Sequence, residues 1–136
     1  MTGQENEMTV ADSNVILRLL LGDVPHQSER ATNWLGEQPE LSVLIADAVL
    51  VEVLFLLESK RAYGIARADF IPMLLRLLRS APWRVSSLTM QALTLFENSK
   101  LDYVDCLLWA MQDNSGVSAV ATFDKELQKQ LNDSVL

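Results

Sequence analysis

Apolar positions along this chain fall in short blocks, and their spacing changes from one block to the next. Met8 to Ala11 form a brief apolar run that predicts a strand. From Ser13 and Asn14 the spacing becomes helical, with Val15, Ile16, Leu19 and Leu20 as the apolar face and Gly22 and Pro25 as the stop. Residues 27–37 predict a second helix with a thinner face of Ala31, Trp34 and Leu35, and 41–45 a second strand. Asp47 is expected to cap a helix over 48–62, with Lys60 and Arg61 at the negative end of its dipole. Gly64 breaks the chain before a helix over 66–80 built on Phe70, Leu74, Leu77 and Leu78, in which Pro72 is tolerated only near the start. Strand 83–85, helices 87–99 and 102–114, strand 118–121 and a last helix opened by Asp124 complete the series, with Gly116 ending the helix before the last strand. Strands alternating with helices predict an α/β protein with a parallel sheet covered on both faces.

Composition narrows the class. The chain has 136 residues, 49% hydrophobic and 21% charged, which fits one globular domain over residues 1–136 with a flexible polar start over residues 1–7. That start resembles neither a secretory signal nor a transit peptide, and no apolar run approaches the ~18 to 20 residues of a membrane span. The single cysteine, Cys106, excludes an internal disulfide and a cysteine-built metal site, and fits a cytoplasmic location. Cys106 itself reads as a small buried hydrophobe. The one histidine, His26, has no partner at ligand spacing and reads as a surface residue. A net charge of −7 argues against a broad basic face for nucleic acid. It leaves open a nuclease whose pocket draws its positive charge from metal ions and a few arginines.

The candidate chemistry lies in four acids. Asp12 ends the first apolar run, Glu52 interrupts the apolar stretch 48–57, Asp105 lies in 101–110 and Asp124 follows the last strand. Each borders sequence expected to be buried, where an isolated carboxylate is costly without a hydrogen-bonding role or a shared cation. Oxygen donors of this kind suit Mg²⁺ or Mn²⁺. Asp12 and Asp124 each also read as helix N-caps, and Asp102-Tyr103-Val104-Asp105 reads as a capping box. Glu52 is the exception, because its neighbours three and four positions away, Ala48, Val49, Phe55 and Leu56, are all apolar. A solvated surface glutamate is therefore not expected there. Asn14 and Thr122, each two residues from one of these acids, are candidates to support a carboxylate or a metal-bound water. Open α/β sheets place ligands along the carboxyl edge of their strands, which is where Asp12 and Asp124 are expected.

Taken in order, 12–18, 51–57, 102–108 and 121–127 resemble the PIN domain and, within it, the VapC-like toxins of bacterial toxin–antitoxin pairs. No single piece carries the likeness; the order, spacing and short length do, from about residue 8 to 131. The resemblance implies a three-layer α/β/α sandwich with a central parallel sheet. It implies an endoribonuclease in which Asp12, Glu52, Asp105 and Asp124 bind Mg²⁺ or Mn²⁺ and hydrolyse RNA to 5′-phosphate and 3′-hydroxyl ends. Asn14 and Thr122 would form the supporting polar shell, with Asp102 at a position often acidic in the family. Cys106 stands where a small residue such as alanine is usual. Arg18 on the first helix is a candidate RNA-phosphate contact, and Lys60, Arg61 and Arg67 are further candidates. The same resemblance implies a homodimer silenced by a small antitoxin protein.

Two other readings compete. A receiver or phosphatase-like domain would want a second aspartate close to the first, where this chain has Asn14, and a lysine after a late strand. A PIN-like fold kept as a silent binding or assembly module would retain the scaffold without turnover.

Overall fold

The computed structural model describes residues 7–114 and 116–136. The polar start expected to be flexible therefore lies, apart from Glu7, outside the described residues. The order of elements is β1 (Thr9–Val10), α1 (Ser13–Leu21), α2 (Pro25–Gly36), β2 (Val43–Leu44), α3 (Asp47–Glu58), α4 (Arg67–Leu78), β3 (Trp83–Arg84), α5 (Ser87–Glu97), α6 (Tyr103–Asn114), β4 (Val120–Ala121), α7 (Lys125–Gln128) and β5 (Ser134–Val135). The expected parallel α/β fold is present. Strands β1, β2 and β3 pair in that order, all parallel, with Thr9 opposite Val43 and Val43 opposite Trp83. Each crossover in this sheet carries two helices, as parallel pairing requires a long return. No helix among the described residues is long and apolar enough to cross a membrane.

The backbone divides into two compact units, Met1–Val85 and Ser86–Leu136. In the first, Ile16 and Leu17 of α1 join Val43 and Trp83 of the strands in a buried core. Helix α3 adds Leu50, Val53, Leu54 and Leu57, spaced as one face of a helix, and α4 adds Phe70, Ile71, Leu74 and Leu78. In the second unit α5 and α6 pack against each other, with Ala92, Leu93, Phe96, Cys106 and Ala110 buried, and β4 pairs in parallel with β5. Cys106 is buried, as its hydrophobic reading expects.

Several local expectations are corrected. Pro25 does not stop α1 but opens α2 at its first position, where a missing N–H costs nothing. Gly22, at φ 62°, makes the left-handed turn that ends α1. The buried residues of α1 are Ser13, Ile16 and Leu17, while Val15, Leu19 and Leu20 are half-buried. Asp47 is the first residue of α3 rather than its cap, which is Ala46, though its charge still favours the helix start. Helix α3 ends at Glu58, so Lys60 and Arg61 lie in the following turn, closed by Gly64 at φ 58°. Pro72 lies well inside α4. Strand β5 was not expected from the pattern at all. Buried Gln112 of α6 ties it down, donating to the Asp133 carbonyl and accepting from the Asn132 N–H.

Candidate active site

In the first unit the chain leaves β1 and turns into α1 at Asp12, which is the N-cap. Its carboxylate accepts from the Ser13 N–H at 2.6 Å, and its carbonyl accepts from Val15 and Ile16 N–H groups. The cap reading of Asp12 is thus real, and it leaves the second carboxylate oxygen for other work. Ser13 is 4% exposed, and its hydroxyl lies 2.6 Å from Glu52 Oε1 and 3.3 Å from Asp12 Oδ1. A hydroxyl carries one proton, so the shorter contact marks Glu52 as its main acceptor. One buried serine therefore brings an acid from the β1–α1 turn and an acid from the middle of α3 to a common point.

The burial argument for these acids does not hold. Asp12, Glu52 and Asp124 are exposed, and only Asp105 is half-buried. For Glu52 the error has a clear source: its apolar neighbours are themselves outside the core, with Phe55 68% exposed and Val51 39% exposed. The α3 sequence is apolar almost all round, so apolar neighbours did not mark the buried face.

The second unit holds the other acids. Asp102 accepts from the Asp105 N–H at 2.8 Å, the cap contact its spacing predicts. Asp124 caps α7 by accepting from the Leu127 N–H at 3.0 Å, and the Thr122 hydroxyl accepts from the Asp124 N–H at 3.0 Å. Thr122 thus shapes the turn that presents Asp124. Burial, the charge of Asp102, the charge of Asp124 and a side-chain hydrogen bond with Asp102 together push the Asp105 carboxyl up from 3.8 to about 6. Asp105 thus feels the charges of two other carboxylates of its own unit.

The donors fit a hard divalent cation in type: all are carboxylate oxygens, and repulsion among them is what a cation relieves. Among the described residues no group of three or more His, Cys, Asp or Glu side chains forms a ready-made ligand set.

The basic candidates are placed differently. Arg18 is 13% exposed in its side chain, donates to the Tyr63 hydroxyl at 2.7 Å and faces Asp23 at 3.5 Å. Arg67 forms a two-pronged pair with Glu58 at 2.6 and 3.2 Å. Lys60 and Arg61 are exposed in the turn after α3. Asn14 is exposed on the first turn of α1 and lines a groove against α2, while His26 is exposed in the first turn of α2. The residue that sequence reasoning missed is Ser13. Its signal was slight: a small hydroxyl at the first helical position, directly after the candidate acid.

A family model described as the PIN domain matches residues 9–131, a span that holds all four acids as well as Ser13, Thr122 and Asp102. No curated protein and no solved structure matches the chain. With parallel strands, an acid at the β1–α1 turn and further acids on α3, α6 and the β4–α7 turn, all inside the matched span, the chain belongs to the PIN domain family.

Proposed function

We propose that the chain works as one catalytic domain, a metal-dependent endoribonuclease that uses Asp12, Glu52, Asp105 and Asp124 as ligands for Mg²⁺ or Mn²⁺. PIN domains are generally metal-dependent nucleases, and the observation that carries the reading is the family match running through both groups of acids. A divalent cation bound by such carboxylates supplies charge to offset the phosphate and lowers the pKa of water so that it can attack the phosphodiester. The chain's own contribution is placement. Ser13 orients Glu52 through its hydroxyl and Asp12 through its N–H. Thr122 and the α7 start orient Asp124, while Asp102 positions the start of α6 and raises the proton affinity of Asp105. In the metal-free protein Asp105 holds a proton on its carboxyl oxygen below about pH 6. That proton competes with metal, so the metal concentration needed for cleavage should rise as pH drops.

The motifs at 12–18, 51–57, 102–108 and 121–127, with the short chain, support a finer reading as the VapC-like toxin of a toxin–antitoxin pair. In that reading the protein is cytoplasmic, dimeric and held silent by a small antitoxin. The test is cleavage of single-stranded RNA with Mg²⁺ or Mn²⁺, compared with EDTA and with Glu52→Gln. No metal-dependent cleavage by the wild-type chain would refute the nuclease, and growth unaffected by its expression in a bacterium would refute the toxin.

A further inference from the structure

Helices α1 and α2 pack side by side, yet α2 contributes only Leu35 to the core. A groove of about 670 Å³ opens between them, a volume typical of pockets that take organic groups. From α1 it is lined by Asn14, Val15 and Arg18, one turn of a single helix face. From α2 it is lined by Gln27, Arg30 and Trp34, spaced three and four residues apart and so on one face, with Ala31 leaving room between them. Its acidic residue, Glu37, caps the far end of α2.

This lining is unlike a packed helix interface. It contains no Leu, Ile, Met or Phe, although the chain is rich in them. It gathers two arginines in a protein of net charge −7. Arg18 donates to the Tyr63 hydroxyl through one terminal nitrogen, and its Nε is ion-paired with Asp23 at 3.5 Å, too loosely to count as a hydrogen bond. Arg30 is exposed on α2. Trp34, half-buried, supplies an aromatic surface, and Gln27, Asn14 and Asn33 supply amides that can both donate and accept. Asn14 adjoins Ser13 in the chain, so the groove starts in the first turn of α1, the turn that Asp12 caps.

We propose that the α1–α2 groove binds a single-stranded stretch of RNA, with a base on the Trp34 ring and the backbone phosphate at Arg30 and Arg18. Aromatic side chains take bases that are free of a duplex, and arginine holds phosphate by paired N–H donors. A peptide anchored by large apolar side chains would meet only Val15, Ala31 and the Trp34 ring as apolar lining, and would leave both arginines without a phosphate. The proposal rests on the nuclease reading for its choice of RNA, but binding and cleavage are measured separately.

The experiment follows a fluorescently labelled single-stranded RNA of about 12 nucleotides by anisotropy in EDTA, where cleavage does not intervene. It compares the wild-type chain with Arg30→Ala, Trp34→Ala and Trp34→Phe, each checked for native circular dichroism. Trp34→Ala should weaken binding roughly tenfold, and Trp34→Phe, which keeps a ring, should retain most of the affinity. Arg30→Ala should weaken binding and lower the slope of log affinity against log salt by about 0.7, the value of one single-strand phosphate contact. A duplex of the same sequence should not feel Trp34→Ala. No binding by the wild-type chain overturns the proposal, as does wild-type affinity in both alanine variants, including the case where they lose a protein partner instead. An equal loss for single strand and duplex in Trp34→Ala also overturns it. Exposed Arg30 keeps the test decisive if Trp34→Ala does not fold. Cleavage of the same RNA with Mg²⁺ or Mn²⁺ is scored on the wild-type chain alone, so a failed nuclease reading leaves the binding result standing.

Discussion

Replacing Asp105 by asparagine should stabilise the protein at neutral pH in the absence of metal, and the gain should depend on pH in a defined way. The folded chain holds the Asp105 proton more tightly than the unfolded chain, because burial and the Asp102 and Asp124 charges push the carboxyl from 3.8 up to about 6. Stability from this group is therefore complete below pH 3.8 and is lost as pH rises through about 6. At about 1.4 kcal/mol per tenfold change in proton affinity, that rise corresponds to at most ~3 kcal/mol. Solvent reaches the half-buried side chain and screens its neighbours, which brings the expected effect to ~1 kcal/mol. Asparagine keeps the shape and can donate to Asp102 without carrying charge. Urea unfolding in EDTA at several pH values would measure it. The difference between Asp105→Asn and wild type should be near zero at pH 4 and reach ~1 kcal/mol in favour of the variant by pH 7 to 8. Added Mg²⁺ or Mn²⁺ should reverse the order, since a bound ion stabilises only the chain that can hold it. A difference that is flat with pH, or a variant less stable than wild type at pH 8 in EDTA, would refute the account of repelling carboxylates.

Glu52→Gln should abolish metal-dependent RNA cleavage while changing stability by less than ~0.5 kcal/mol, because the side chain is exposed; wild-type activity would remove Glu52 from the ligand set. Ser13→Ala removes the hydroxyl linked to Glu52 and should cost ~1 kcal/mol in urea unfolding, with a fall in cleavage rate at saturating metal; unchanged kinetics would limit Ser13 to a helix-start role. Lys60→Ala/Arg61→Ala should lower RNA affinity and the salt slope, whereas Arg67→Ala should act mainly by releasing Glu58; an unchanged salt slope in the double variant would make that turn ordinary surface charge.

The order of strands and helices was legible in the sequence because each depends on local spacing of apolar residues, and a family match over residues 9–131 agrees with it. The capping roles of Asp12, Asp102 and Asp124 were also legible, since each directly precedes a helix and does cap it. What the sequence could not settle was which face of a nearly all-apolar helix turns inward. Helix α3 shows this directly: Leu50, Val53, Leu54 and Leu57 are buried, while Val51, Glu52 and Phe55 are exposed. Only packing against neighbouring elements chooses among such faces, so Glu52 was selected for a burial it does not have. Strand β5 escaped for a related reason, because two residues carry no period and the strand exists through its pairing with β4 and its tie to Gln112. The Ser13 hydroxyl between Asp12 and Glu52 joins residues 39 apart, and the raised proton affinity of Asp105 depends on Asp124 in another element. Local sequence decides where chains turn and which residues cap; electrostatic coupling and shared protons require distances that only the folded chain sets.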